Sequence, residues 1–189
     1  SVTIYHPDGT SAGDVVDEGT LTTDAISAGS IASGAFASAI DTPGVRSQVT
    51  VTFTTVGRIL TGGKIRLVMS SGGQTVDASS PSVSFTSPSD VTGTSTRVDE
   101  SELLITISGS IGAGAAVVFT VGEVRSAPYV QEAGTVVLET YASSGSSADD
   151  QIDGGSLATD VLNAGSLGVG TFASAVDTPS VSSLVTVSF

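Results

Sequence analysis

Residues 1–53 recur as residues 137–189: at an offset of 136 with no gap, 27 of the 53 aligned positions are identical. The densest stretch sets Gly34-Ala35-Phe36-Ala37-Ser38-Ala39-Ile40-Asp41-Thr42-Pro43 against Gly170-Thr171-Phe172-Ala173-Ser174-Ala175-Val176-Asp177-Thr178-Pro179. Recurrence at a fixed spacing marks a repeat architecture. The 189 residues hold one period of 136 and the opening 53 of a second, so the chain reads as a window on a longer array. A unit of this size can bury a core of its own. Solenoid repeats of roughly 20 to 50 residues, in contrast, are stable only when stacked. Repetition also favours a structural or adhesive role, because chemistry rarely needs one site many times along a chain.

Hydrophobic alternation predicts what fills the period. Val49, Val51 and Phe53 alternate with Thr50, Thr52 and Thr54, the period-two pattern of a half-buried strand. Ile65, Leu67 and Met69 follow the turn Thr61-Gly62-Gly63, and the two runs are expected to pair as a hairpin around the connection 55–63. Val83 and Phe85 mark a short strand closed by Ser87-Pro88-Ser89-Asp90, and Thr94 to Val98 a polar edge strand. Further strands are expected at Leu103, Ile105 and Ile107, at Val117, Phe119 and Val121, and over Val136 to Tyr141. No apolar stripe at helical spacing is long enough for a helix. Val, Ala, Ile and Leu supply most of the 39% hydrophobic content, while Ser and Thr make up about 30% of the chain. The expected class is all-β, an antiparallel β-sandwich repeated in tandem. The alternative, a parallel β-helix, requires a much shorter internal period.

The phase of the repeat predicts the boundaries. Residues 1–5 read as the last strand of a preceding repeat and 6–28 as an acidic Gly/Ser junction. Residues 29–142 read as a complete sandwich, 143–164 as a second junction, and 165–189 as the opening strands of the next repeat. Such partial pieces cannot bury their apolar faces alone, so both ends are expected to pair with other copies or neighbouring sequence. In the junctions Asp14, Asp17 and Asp24 recur as Asp150, Asp153 and Asp160. Carboxylates clustered between domains could supply the 6–8 oxygens that Ca²⁺ takes, although their spacing is not that of an EF-hand loop. The alternative is a solvated acidic linker whose Asp residues form turns. Val15, Val16 and Leu21, with Ile152 and Leu157 in the second copy, argue that the junction docks on a sandwich instead of swinging freely. No other cofactor is expected.

A net charge of −13 argues against nucleic acid and against docking on anionic membranes. A surface with one Lys (Lys64) and five Arg suits a saline or Ca²⁺-rich medium, or is simply an acidic soluble surface. There is no Cys, and no apolar run approaches the roughly 18 to 20 residues that span a bilayer. The one Asn, Asn163, is followed by Ala-Gly, so there is no N-glycosylation sequon. Catalytic candidates are none: His6 is the only His, its counterpart is Ala142, and without His or Cys no Ser has its usual base. Asp99, Glu100 and Glu102 form the densest acidic group outside the junctions, in a turn entering a strand.

The runs Val49-Thr50-Val51-Thr52-Phe53-Thr54-Thr55-Val56-Gly57, Gly62-Gly63-Lys64-Ile65-Arg66-Leu67 and Ile111-Gly112-Ala113-Gly114-Ala115-Ala116-Val117-Val118-Phe119-Thr120-Val121 resemble the immunoglobulin-like modules of giant cell-surface proteins. Such modules occur in tandem in adhesins and surface filaments, including hair-like appendages. The resemblance implies an immunoglobulin-like sandwich, an extracellular location and a non-catalytic filament-forming or adhesive role. The partners it implies are other copies of the repeat, head to tail, with O-linked glycans as decoration on the Ser/Thr-rich surface. The alternative is a carbohydrate-binding module, for which Tyr5, Tyr129 and Tyr141 are the few polar-tipped rings.

Overall fold

The structure, a computed structural model, describes residues 2–5, 15–22, 24–143, 150–176, 178–179 and 182–188. Fifteen strands are described. They are β1 (Val2–Tyr5), β2 (Val15–Gly19), β3 (Gly29–Ile31), β4 (Gly34–Ser38), β5 (Arg46–Thr54), β6 (Lys64–Val68), β7 (Thr75–Val76) and β8 (Val83–Ser87), then β9 (Gly93–Asp99), β10 (Glu102–Ile107), β11 (Ala116–Arg125), β12 (Thr135–Tyr141), β13 (Gln151–Thr159), β14 (Thr171–Ser174) and β15 (Val185–Ser188). Ser70–Gly72 forms a 3-10 turn.

Strand alternation builds one core. Val49, Val51 and Phe53 of β5 point inward, as do Ile65 and Leu67 of β6, Leu103, Ile105 and Ile107 of β10, and Val117, Phe119 and Val121 of β11. Phe36, Leu138 and Leu157 join the same cluster. Each such side chain contributes roughly 1.5–3 kcal/mol through apolar burial. The Phe85 and Phe119 rings meet at 5.0 Å between centroids in a tilted pair. The hydrogen-bonded order is β7-β11-β5-β4-β13-β12-β6-β10-β9, with β3 also on β13 and β8 also on β11. This continuous ladder folds over the core as the two layers of a β-sandwich. Its ladders are antiparallel except where β13 meets β3 and β4, which excludes the parallel β-helix.

Two expectations are corrected. β5 and β6 do not form a hairpin: β5 lies between β4 and β11, and β6 between β10 and β12. The segment between them carries Ile59, which is fully buried and bridged to Ile111, so it crosses from one layer to the other. The second correction concerns residues 143–164. Gln151–Thr159 of that stretch is a nine-residue strand in the middle of the sheet, not a linker. Its inward positions are Asp153, Gly155, Leu157 and Thr159, a set too polar to read as alternation. Gly155 is required there because a Cβ would strike the carbonyl of Ile31 on β3. The tied structure runs on past β13: Leu162 bridges Gln131, and the Asn163 amide donates to the Asp41 carbonyl at 2.9 Å.

The duplicated segments fold alike. β12 and β13 pair Leu138 with Gly155, Glu139 with Gly154 and Thr140 with Asp153, and then shift register to pair Tyr141 with Gln151. β1 and β2 pair Val2 with Gly19, Thr3 with Glu18 and Ile4 with Asp17, and shift to pair Tyr5 with Val15. Every one of these pairs is the former less 136. At the other end β14 and β15 pair Thr171 with Ser188 through Ser174 with Val185. This repeats, plus 136, the pairing of Ala35 with Thr52 through Ser38 with Val49 in β4 and β5. What differs is burial. Phe36 is 0% exposed and its copy Phe172 75%; Leu157 is 0% exposed and its copy Leu21 75%.

Candidate functional site

The seam where the closing hairpin β12–β13 meets the opening strands β3 and β4 gathers most of the candidate residues. β13 runs parallel to both, pairing Asp153 with Gly29, Gly154 with Ser30 and Gly155 with Ile31, and further on Ala158 with Ala35 and Thr159 with Phe36. Asp153 is fully buried. Its two carboxylate oxygens accept the amides of Val56 at 3.1 Å and Gly57 at 2.8 Å, and its own amide donates to the Thr140 hydroxyl at 3.0 Å. The carboxylate thereby pins the start of the 55–63 crossover onto β13. Asp160 Oδ2 accepts the Ser38 amide at 2.8 Å and so anchors the end of β4. Gly34 lets β4 close on this seam: a Cβ would meet the Leu157 side chain and the Thr52 carbonyl.

The other junction carboxylates among the described residues do not join this seam. Asp150 is half-buried just ahead of β13, whereas Asp17 and Asp24 are exposed. Asp17 accepts the neighbouring Glu18 amide at 2.9 Å. Asp14 and His6 lie outside the described residues. Among the described residues no group of three or more His, Asp or Glu side chains is placed to hold a metal ion. The carboxylates of Asp153 and Asp160 act here as acceptors for backbone amides. Sequence reading missed Asp41. Although Asp41 is exposed, desolvation by its surroundings, with the Asp160 carboxylate nearby, pushes its pKa above the ordinary carboxylate value.

Two charge networks brace the outer surface. On one layer Arg66 donates Nε and Nη2 to Glu102 at 2.7 and 2.9 Å and Nη1 to Glu139 at 2.8 Å. The Tyr141 hydroxyl donates to the same Glu139 at 2.8 Å. The hydrogen bonds that Arg66 donates to Glu102, more than the one to Glu139, raise the guanidinium pKa against its partial burial. Bidentate geometry strengthens the Arg66–Glu102 pair. On the other layer Asp77 takes Arg125 and Arg46, each at 2.6 Å, and Arg46 also reaches Glu123 at 2.9 Å. Those arginine hydrogen bonds, Arg125 foremost, hold Asp77 below the usual carboxylate value. Glu123 sits at φ 61 in the bulge of β11. Of the acidic group noted in the sequence, Asp99 caps the Ser101 amide at 2.7 Å and Glu102 is bound by Arg66, so both are structural.

Comparisons with known proteins add a structural likeness. No protein-family model and no curated protein sequence matches the chain. Among solved structures the chain is similar to a non-cellulosomal cohesin from the hyperthermophilic archaeon Archaeoglobus fulgidus, at 14% identity and a TM-score of 0.36. The alignment covers 68% of this chain and 91% of that one.

Proposed function

We propose that the chain is a segment of a structural tandem-repeat protein that forms or decorates an extracellular filament, non-catalytic and built head to tail from sandwiches of this kind. The observation that carries the reading is the parallel pairing of β13 with β3 and β4. Parallel first and last strands put the entry and exit of a sandwich at opposite poles, and successive copies then follow in line. An antiparallel pair would return the chain to its starting pole. The joint is short. Asn163 is still tied to Asp41, and Gly165 is the copy of Gly29, so Ala164 alone separates the tied end of one sandwich from the start of the next. On this reading the joint is shorter than the junctions 6–28 and 143–164 expected from the sequence. Identical heterologous contacts in line propagate into open filaments.

The surface chemistry is consistent with an external structural role. Thr50, Thr52 and Thr54 stand on the outer side of β5 and offer hydroxyls for O-linked sugars. Electron microscopy of the natively purified protein checks the reading. Straight strings of evenly spaced particles, labelled by antibody on the outside of intact cells, are expected. Dispersed single particles or an exclusively intracellular label would refute it.

A further inference from the structure

One glycine sits at the joint between consecutive repeats, and the surfaces on its two sides complement each other. Gly165 opens the next repeat, and a Cβ added to it would press on Thr42 Cγ2 at 3.1 Å. The new repeat therefore sets out hard against the loop 39–45. Its counterpart Gly29 shows what lies on the other side: a Cβ there would strike Val56 and the Asp153 carboxylate, at the start of the 55–63 crossover. Gly29 and Gly165 are the same position of the repeat, so Thr42 of one sandwich and Val56 of the next close on the same glycine. We infer that consecutive repeats dock loop on crossover, with Asp41 of one sandwich paired to Arg58 of the next and Ile40 packed on Val56 and Leu60.

The side chains at the two poles fit that contact. The loop and the crossover stand at opposite ends of β5, so the exit surface of one sandwich faces the entry surface of the next. Asp41 immediately precedes Thr42, and Arg58 lies two residues beyond Val56. Both are exposed, and among the described residues neither side chain has a hydrogen bond or a countercharge. Arg46, Arg66, Arg97 and Arg125, in contrast, are all bound within the sandwich. The Asp160 carboxylate beside Asp41 adds a like charge, which makes a cation the fitting occupant. Apolar area is matched as well: Ile40 is 44% exposed at one pole, Val56 51% and Leu60 55% at the other. Ile40-Asp41-Thr42-Pro43 recurs as Val176-Asp177-Thr178-Pro179, so each repeat offers its successor the same loop. The inference rests on the in-line reading above and adds the surface that sets the angle between repeats.

A chain of two complete sandwiches, residues 1–164 continued from residue 29 to 189, keeps the phase of the array and tests the joint. It contains no Cys, so Thr42→Cys in the first sandwich with Val56→Cys in the second gives one defined thiol pair. Mild oxidation in dilute solution is expected to close a disulfide within the chain, seen as faster migration on a non-reducing gel. Docking brings the Cα atoms toward the roughly 4.4–6.8 Å that a disulfide spans. The reversed control, Val56→Cys in the first sandwich and Thr42→Cys in the second, puts the same thiols at the outer poles. It is expected to close at least about ten-fold less. Equal yields from the two orders, or no disulfide in either, would overturn the docking. In the pair that closes, Asp41→Arg in the first sandwich should slow the reaction about three-fold, and Arg58→Asp added in the second should restore it. A rate indifferent to both changes would overturn the ion pair. All four positions are exposed or half-buried, where substitution spares the fold. In-line strings in the microscope without this disulfide would overturn the joint alone and leave the proposed function standing.

Discussion

Replacing Phe36 by Ala should cost the sandwich about 3–5 kcal/mol, whereas the same change at its copy Phe172 should cost less than about 0.5 kcal/mol in dilute solution. The two residues occupy the same register in hairpins that repeat pair for pair. Phe36 is sealed into the core and leaves a cavity when truncated; Phe172 is already in water. Sequence identity and local geometry are matched in this pair, so the difference isolates tertiary burial. Denaturant unfolding of the two variants measures it: a large fall in midpoint for Phe36→Ala, and an unchanged midpoint for Phe172→Ala. Comparable losses at both sites would mean that the end hairpin is part of the cooperative unit.

The second large effect belongs to a carboxylate. Asp153→Ala should destabilise the sandwich by about 3 kcal/mol, because it removes a fully buried carboxylate and with it the acceptor of the Val56 and Gly57 amides. For a domain of this size that corresponds to a melting temperature about 10 °C lower. Asp153→Asn keeps one acceptor oxygen and should lose roughly half as much. Asp17→Ala, at the copied position, should leave the melt unchanged, since Asp17 is exposed and bonds to the amide beside it. Calorimetry on the three variants gives the comparison. A melt for Asp153→Ala within about 2 °C of the parent would contradict the latch.

The residues that fill the core were legible because they alternate. Val49, Val51 and Phe53 announce β5, and Leu103, Ile105 and Ile107 announce β10, each within a residue or so of the observed inward set. What the alternation could not carry was pairing. A hairpin between neighbours in sequence is the default, and only the burial of Ile59 against Ile111 sends the chain across the core. β13 was hidden for a different reason. Its inward face uses a carboxylate, a glycine and a threonine beside a single leucine, because close backbone approach by β3 excludes larger groups. Composition therefore read as a linker what register makes the central strand. The signal that could have found it was in the repeat: Asp17, Gly19, Leu21 and Thr23 recur as Asp153, Gly155, Leu157 and Thr159 at alternate positions. Asp153 was marked as a candidate metal ligand from its recurrence, and its partners turn out to be amides 96 and 97 residues away in sequence. No local pattern encodes that distance.

Native-state hydrogen exchange tests the central claim most directly. If β13 ties the closing hairpin β12–β13 to the opening strands β3 and β4, its amides exchange as slowly as those of β5 and β11. Exchange from β13 at the rate of a solvated linker would contradict the account.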